Sequence, residues 1–326
     1  MKRTATLAMA LCLASATAMA ATPVQEHGAL HIDGTRVVDQ QGKPVSLAGP
    51  SFFWSNTGWG QEKFYNAQAV KNFATDWNAS LVRAAMGVDA EGGFLSDPAN
   101  EQRVVALVDA AIANGVYVII DFHSHHAEEH ADVAVAFFKR MATKYGKYPN
   151  VIYELYNEPL NTASWPKAIK PYAEKVIAAI RAIDPDNLIV VGTPTWSQDV
   201  DIAAADPLKG TNLAYSLHFY AGTHKQDLRN KADVARKKGA PLFVTEWGSV
   251  NADGNGGVDV EETMRWQDYL RQNCLSQAQW AVSDRKEGAS LFKPGTSGTG
   301  PWHESDLTDS GKLLRKILKD HKMTCP

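Results

Sequence analysis

The sequence predicts a (β/α)8 barrel preceded by a short N-terminal β-hairpin. Three observations carry this expectation. Eight short apolar runs alternate with amphipathic stretches of helical length. The runs are apolar almost throughout, which suits parallel strands covered on both faces. Polar and ionisable residues recur at one end of nearly every run, with no comparable set at the other, as at the C-terminal face of a barrel. A doubly wound open sheet is the structural alternative, but no run is followed by the G-x-G-x-x-G phosphate loop of that fold.

In chain order, residues 1–20 read as a signal peptide. Lys2 and Arg3 form a basic start, Leu7 to Ala14 an apolar stretch, and Ala18-Met19-Ala20 a small-residue cleavage pattern. The stretch is too short to span a bilayer, although an anchor that stays attached is the alternative. Cleavage near Ala20 would take 20 residues from 326 and leave 306, with secretion to the extracellular or periplasmic side. Loss of Lys2 and Arg3 would move the net charge from −3 to −5. Residues 21–326 then form one catalytic barrel domain, since no linker or low-complexity tract divides them. Leu30-His31-Ile32 and Arg36-Val37-Val38 around Asp33-Gly34 make the hairpin, placed to plug the bottom of the barrel.

The eight strand candidates are Val45–Gly49, Leu81–Met86, Tyr117–Phe122, Val151–Tyr156, Leu188–Gly192, Leu213–Phe219, Leu242–Thr245 and Gln279–Val282. Helical patterns lie at Asp97–Asn114, Val133–Tyr145, Tyr172–Ile183, Leu228–Lys238, Glu261–Cys274 and Lys312–Asp320. Several end at Asn-Gly, Asp-Pro or Gly stops.

Lys and Arg number 33 against 36 Asp and Glu, so the basic excess of a nucleic-acid or anionic-membrane binder is missing. A hydrophobic share of 44% argues against disorder, and nine Trp leave rings to spare for binding. No later apolar run is long enough for a transmembrane helix. Cys12 leaves with the leader. Cys274 and Cys325 remain, an even pair in an oxidising compartment, and are expected to bridge; two free thiols are the alternative.

The strand ends carry the chemistry. Arg83 lies in the second run; His123-Ser124-His125-His126 follows the third; Asn157-Glu158-Pro159 follows the fourth. Trp196 follows the fifth, and His218 and Tyr220 close the sixth. Glu246 closes the seventh, and Trp280 with Asp284, Arg285 and Glu287 marks the eighth. A partly buried glutamate is costly unless paired, so Glu158 and Glu246 need a reason. Singly, each could be a structural ion pair to Arg83 or a helix cap. Together, on strands three apart around a barrel, they match the two carboxyls of glycoside hydrolysis, with Trp and Tyr faces for sugar rings. The rival is a metal hydrolase built on His123-Ser124-His125 with His218 and Asp284. Such H-x-H pairs usually come from the first strand, and a metal leaves Glu158, Glu246 and the Trp set unexplained.

Tyr153-Glu154-Leu155-Tyr156-Asn157-Glu158-Pro159 resembles the acid/base signature of glycoside hydrolase family five, and Thr245-Glu246-Trp247-Gly248 its nucleophile strand. Val82-Arg83, Asp121-Phe122-His123, Ser216-Leu217-His218-Phe219-Tyr220 and Trp280–Asp284 match in the same order. Within the family, residues 196–199 and 283–287 resemble bacterial endo-β-1,4-glucanases, the cellulases. The resemblance implies a retaining enzyme acting on cellulose, with Glu158 as acid/base and Glu246 as nucleophile. It further implies that Asn157 binds the sugar 2-hydroxyl and that Arg83 and Tyr220 hold Glu246 ionised. His123 and His218 would line the central subsite, Trp280 would underlie the glycone sugars, and Trp196 would stack on the leaving-group side. Arg285 and Glu287 would bind a glycone sugar, with Arg285 where the family carries Lys. Phe52-Phe53-Trp54 stands where many of these cellulases carry a His. Neither metal nor organic cofactor is implied, and a monomer is expected. The same machinery on mannan, xyloglucan or mixed-linkage glucan stays open, as does a barrel that binds carbohydrate without cleaving it.

Overall fold

A computed structural model describes residues 21–325. The predicted leader and its cleavage point near Ala20 lie outside the described residues. Among those described, no helix is long and apolar enough to cross a membrane.

The hairpin forms as β1 (His31–Asp33) and β2 (Arg36–Val38), paired antiparallel around Gly34-Thr35. Eight parallel strands then close into a barrel: β3 (Ala48–Phe52), β4 (Leu81–Gly87), β5 (Tyr117–His123), β6 (Val151–Glu154), β7 (Leu188–Val191), β8 (Leu213–Tyr220), β9 (Leu242–Gly248) and β10 (Gln277–Val282). Strands pair in chain order, and β10 returns to β3. This is the predicted (β/α)8 barrel.

Strand alternation sorts the side chains. Val118, Ile120 and Phe122 of β5 point outward into the core shared with the helices. Tyr117 and Ile119 point inward and low, where they meet Leu30, Val37, Val45 and Leu47 below the barrel. The hairpin region therefore does close the bottom, and Tyr117 donates its hydroxyl to the Gly28 carbonyl at 2.7 Å. Higher on the same inward face come Asp121 and His123. The interior is thus greasy below and polar above.

The first strand starts three residues later than Val45–Gly49. Val45 N–H bonds to Val37 O, Ser46 N–H to Met323 O, and Leu47 N–H to the Ser276 hydroxyl. Those donors serve the hairpin and the C-terminal tail, so the barrel ladder begins at Ala48. That tail is pinned by the Cys274–Cys325 disulfide, with Cα atoms 5.5 Å apart. A helix at Ala67–Asp76 is absent from the sequence reading. Asn66 caps it by accepting from the Ala69 N–H at 3.0 Å, and Ala69, Val70 and Phe73 form its buried face.

Candidate active site

The polar upper layer is organised by Arg83, which is fully buried. Its Nε donates to Glu154 Oε2 at 2.7 Å, and Nη1 to Glu246 Oε2 at 2.9 Å and Ser51 Oγ at 3.2 Å. Nη2 donates to Asn157 Oδ1 at 2.7 Å and lies 2.9 Å from Asp121 Oδ2. The planar fork lets one cation serve groups from five strands and loops. Burial opposes the charge on Arg83, but Asp121, Glu154 and Glu246 outweigh it and raise its pKa. Burial likewise acts to raise Glu154, and Arg83 overcomes it, bringing that carboxyl down to about 2. Asp121 goes the other way: its burial pushes it well above the usual carboxylate range despite Arg83.

Glu246 reaches this layer through a bulge. Between Ser216/Phe243 and His218/Glu246, β8 advances two residues while β9 advances three. Thr245 and Glu246 therefore both turn inward, and Trp247 points out into the helical core. Tyr220 donates its hydroxyl to Glu246 Oε1 at 2.7 Å. Burial and the Glu246 charge hold the phenol well above its ordinary pKa, so it remains a donor. Arg83 and Tyr220 thus stand where a held carboxylate needs them. Burial, then the charge of Glu158, nonetheless raise the Glu246 pKa against the pull of His218, Arg83 and Tyr220.

Glu158 sits on the loop after β6, its side chain 13% exposed. His218 Nδ1 meets Glu158 Oε1 at 3.0 Å, and Nε2 meets Thr245 Oγ1 at 2.8 Å. Burial disfavours a charge on this ring, but the bonds to Glu154 and Glu158 and the charge of Glu246 prevail and push it up to about 9. At neutral pH His218 is therefore an imidazolium donating from both nitrogens. Ligand-capable atoms of Glu158, His218 and Glu246 all lie within 4.8 Å of one another.

The Asn157-Glu158-Pro159 loop is fastened from outside. Ser197 Oγ donates to the Asn157 carbonyl at 2.8 Å, and the Trp196 N–H to the Pro159 carbonyl at 2.8 Å. Thr195, Trp196 and Ser197 all carry positive φ, near 60°, 54° and 56°. Such a left-handed turn costs roughly 1–2 kcal/mol per non-glycine residue, which the two bonds to the glutamate loop help offset.

Aromatic groups line the cleft. Trp280 stacks on His123 with centroids 5.1 Å apart and planes 2° apart, and packs on Phe53 at 5.2 Å. Trp54 meets His123 edge-on at 4.2 Å. Burial, then the Arg83 charge, hold His123 well below its ordinary pKa, so the ring is neutral; its Nδ1 lies 2.6 Å from Asp121 Oδ2.

Of the residues singled out from the sequence, His123, Asn157, Glu158, Tyr220, Glu246, Trp280 and Glu287 line one pocket, with Arg83 and His218 bonded directly beneath it. Trp196 and Arg285 are not in that lining. Trp196 is 37% exposed on the turn after β7. Arg285 lies over the Phe53 ring at 5.2 Å, with its Nε 3.4 Å from Glu287. The residues of the metal rival are not brought together. Asp284 is taken by Lys63 at 2.6 Å and Gln61 at 3.1 Å, and neither it nor His123 joins a ligand-like group among the described residues. Sequence reasoning assigned no role to Asp121, Glu154, Ser216 or Thr245. Their signal was there, as polar residues on the inward phase of apolar strands.

The cellulase model of glycosyl hydrolase family 5 matches residues 38–286. Endoglucanase Z of Dickeya dadantii is 55% identical over 291 residues, covering 89% of this chain and 66% of that protein. An endoglucanase of Clostridium saccharobutylicum is 44% identical, covering 89% of this chain and 65% of its own length. The chain thus spans about two thirds of the length of these relatives. A solved structure from Cytophaga hutchinsonii superposes with TM-score 0.90 at 48% identity, covering 92% of this chain and 97% of that one. The catalytic domain of Thermobifida fusca endoglucanase Cel5A, as a variant in complex with cellotetraose, gives 0.87 at 33% identity, covering 92% and 100%. This barrel, with two glutamates facing each other over a buried arginine, belongs to the cellulase family, glycosyl hydrolase family 5.

Proposed function

We propose that this chain is a secreted endo-β-1,4-glucanase that cleaves internal bonds of cellulose with retention of configuration. The observation that carries this reading is the spacing of the carboxyls. One carboxylate oxygen of Glu158 and one of Glu246 lie within 4.8 Å of each other. Retaining enzymes hold the pair about 5–5.5 Å apart, whereas inverting ones need roughly 6.5–9.5 Å to admit water. The names of the relatives, and the cellotetraose bound to one of them, support a β-glucan as substrate.

The steps follow from the contacts. Glu158, exposed to the cleft, gives its proton to the glycosidic oxygen, and the bond from that oxygen to the anomeric carbon breaks. Glu246, aimed by Arg83 and Tyr220, attacks the anomeric carbon and forms a glycosyl ester. Glu158, now a carboxylate held by His218, takes a proton from water, which attacks the same carbon and frees Glu246. Asn157, oriented by Arg83, binds the 2-hydroxyl. His123 lines the central subsite, and Trp280 underlies the glycone with Glu287 and Arg285 beyond it. Trp196 serves the leaving side. Residues 21–326 act as one domain, as a monomer, without metal or organic cofactor, after removal of the leader near Ala20.

The test is release of reducing ends from carboxymethylcellulose beside mannan, xylan and mixed-linkage glucan, with NMR of the first-formed anomer. Cleavage of the β-1,4-glucan to a β-anomer is expected. An α-anomer would overturn retention, and no cleavage of any β-glycan would leave a binding barrel.

A further inference from the structure

A second hollow opens beside the cleft. It is lined by Trp54, Asp89, Ala90, His125, His130 and Leu160, with His126 and Glu129 completing the rim, and measures about 510 Å³, against about 160 Å³ for the pocket that holds the two glutamates. Trp54 and His125 line both, so the hollow is a side branch of the cleft. It opens at Glu158: His125 Nδ1 lies 3.9 Å from Glu158 Oε2.

The barrel order places this branch off the line of the main chain. Trp280 stands on the eighth barrel strand, β10, and Trp196 follows the fifth, β7. A glucan running between them crosses the mouth past Glu158 and Glu246. The hollow is walled by loops that follow β3, β4, β5 and β6, all to one side of that line. Its walls are also set in advance. Trp54 stacks on His125 with planes 12° apart and packs on Trp59. Ser124 Oγ donates to Asp89 Oδ2 at 2.9 Å and accepts from the His126 N–H at 2.8 Å.

We propose that this hollow receives a sugar side chain carried by the glucan residue on the leaving side of the cleaved bond. The proposal rests on the β-1,4-glucanase reading. The Trp54 indole with Leu160 and Ala90, rimmed by Asp89, Glu129 and histidines, has the amphipathic character that a pyranose ring presents, apolar on its faces and polar at its edges. A position beside Glu158, which protonates the leaving oxygen, assigns the substituent to the leaving sugar.

The probe is xyloglucan, a β-1,4-glucan with α-linked xylose on C6, compared with unsubstituted cello-oligosaccharides. The wild-type enzyme is expected to cut xyloglucan so that new non-reducing ends carry xylose, read by mass spectrometry of the products. Ala90→Trp and His130→Trp each fill the hollow from a different loop. Each should lower kcat/KM on xyloglucan by tenfold or more and leave that on cello-oligosaccharides within twofold. Three results would overturn the proposal: no cleavage of xyloglucan, new non-reducing ends that are never substituted, or filled variants that lose both substrates equally or neither. Failure of the glucanase reading is separate, because the wild type would then leave the cello-oligosaccharides intact.

Discussion

His218 links the chemistry of the site to stability in a way that pH can read. The ring is 2% exposed and its pKa stands near 9 in the folded chain, against an ordinary value of 6.5. A group raised on folding contributes its full stabilisation below the unfolded pKa and loses it as pH climbs through the folded one. The loss from His218 therefore falls between about pH 6.5 and 9. Each pH unit in that window is worth about 1.4 kcal/mol, so the whole is roughly 3 kcal/mol. At the lower end of the usual 2–4 °C per kcal/mol for large domains, that is about 6 °C in Tm. His218→Gln keeps a donor for Glu158 but cannot titrate. Thermal unfolding of both proteins from pH 6 to 10 should show a gap that is widest at pH 6 and narrows by several degrees by pH 9.5. A gap that stays constant with pH would refute a charged His218.

Three further outcomes are expected. Arg83→Met strands Asp121, Glu154 and Glu246 without their shared cation and should cost about 3–5 kcal/mol in urea unfolding, while a loss under 1 kcal/mol would contradict the buried hub. Cys274→Ser with Cys325→Ser opens a loop whose ends are 51 residues apart and should lower unfolding stability by about 4 kcal/mol, seen as an earlier urea midpoint; an unchanged midpoint would deny the bridge any role. Ser197→Ala releases the carbonyl of Asn157 and should slow hydrolysis of cello-oligosaccharides more than that of an activated aryl glycoside, since only the former needs a well-placed Glu158 proton. Equal slowing of both would reduce Ser197 to a structural contact.

The strands were legible because parallel barrel strands are covered on both faces and read as unbroken apolar runs. Arg83 stood out as a lone charge in such a run, and Glu158 and Glu246 as carboxyls just past the ends of others. What stayed hidden was set by partners distant in sequence. Nothing local tells Val45–Leu47 to give its donors to β2, the tail and Ser276 in place of β4. The β9 bulge is equally silent: simple alternation would face Glu246 outward, and only pairing with β8 shows two successive residues turning in. The left-handed turn at Thr195–Ser197 contains no glycine to announce it. Asp121 and Glu154 carried the same signal as Arg83, a charge on the inward phase, but their purpose appears only once the guanidinium is seen between them.

Azide rescue distinguishes the roles of the two glutamates. Glu158→Ala should still form the glycosyl ester from an aryl glycoside with an acidic phenol, because that leaving group barely needs a proton. Breakdown of the ester should then stall for want of a base. Azide needs no base, so adding it should restore turnover and yield a β-glycosyl azide. Glu246→Ala should give no such β-product. A β-glycosyl azide from Glu246→Ala, with no effect of azide on Glu158→Ala, would reverse the two roles and contradict the account.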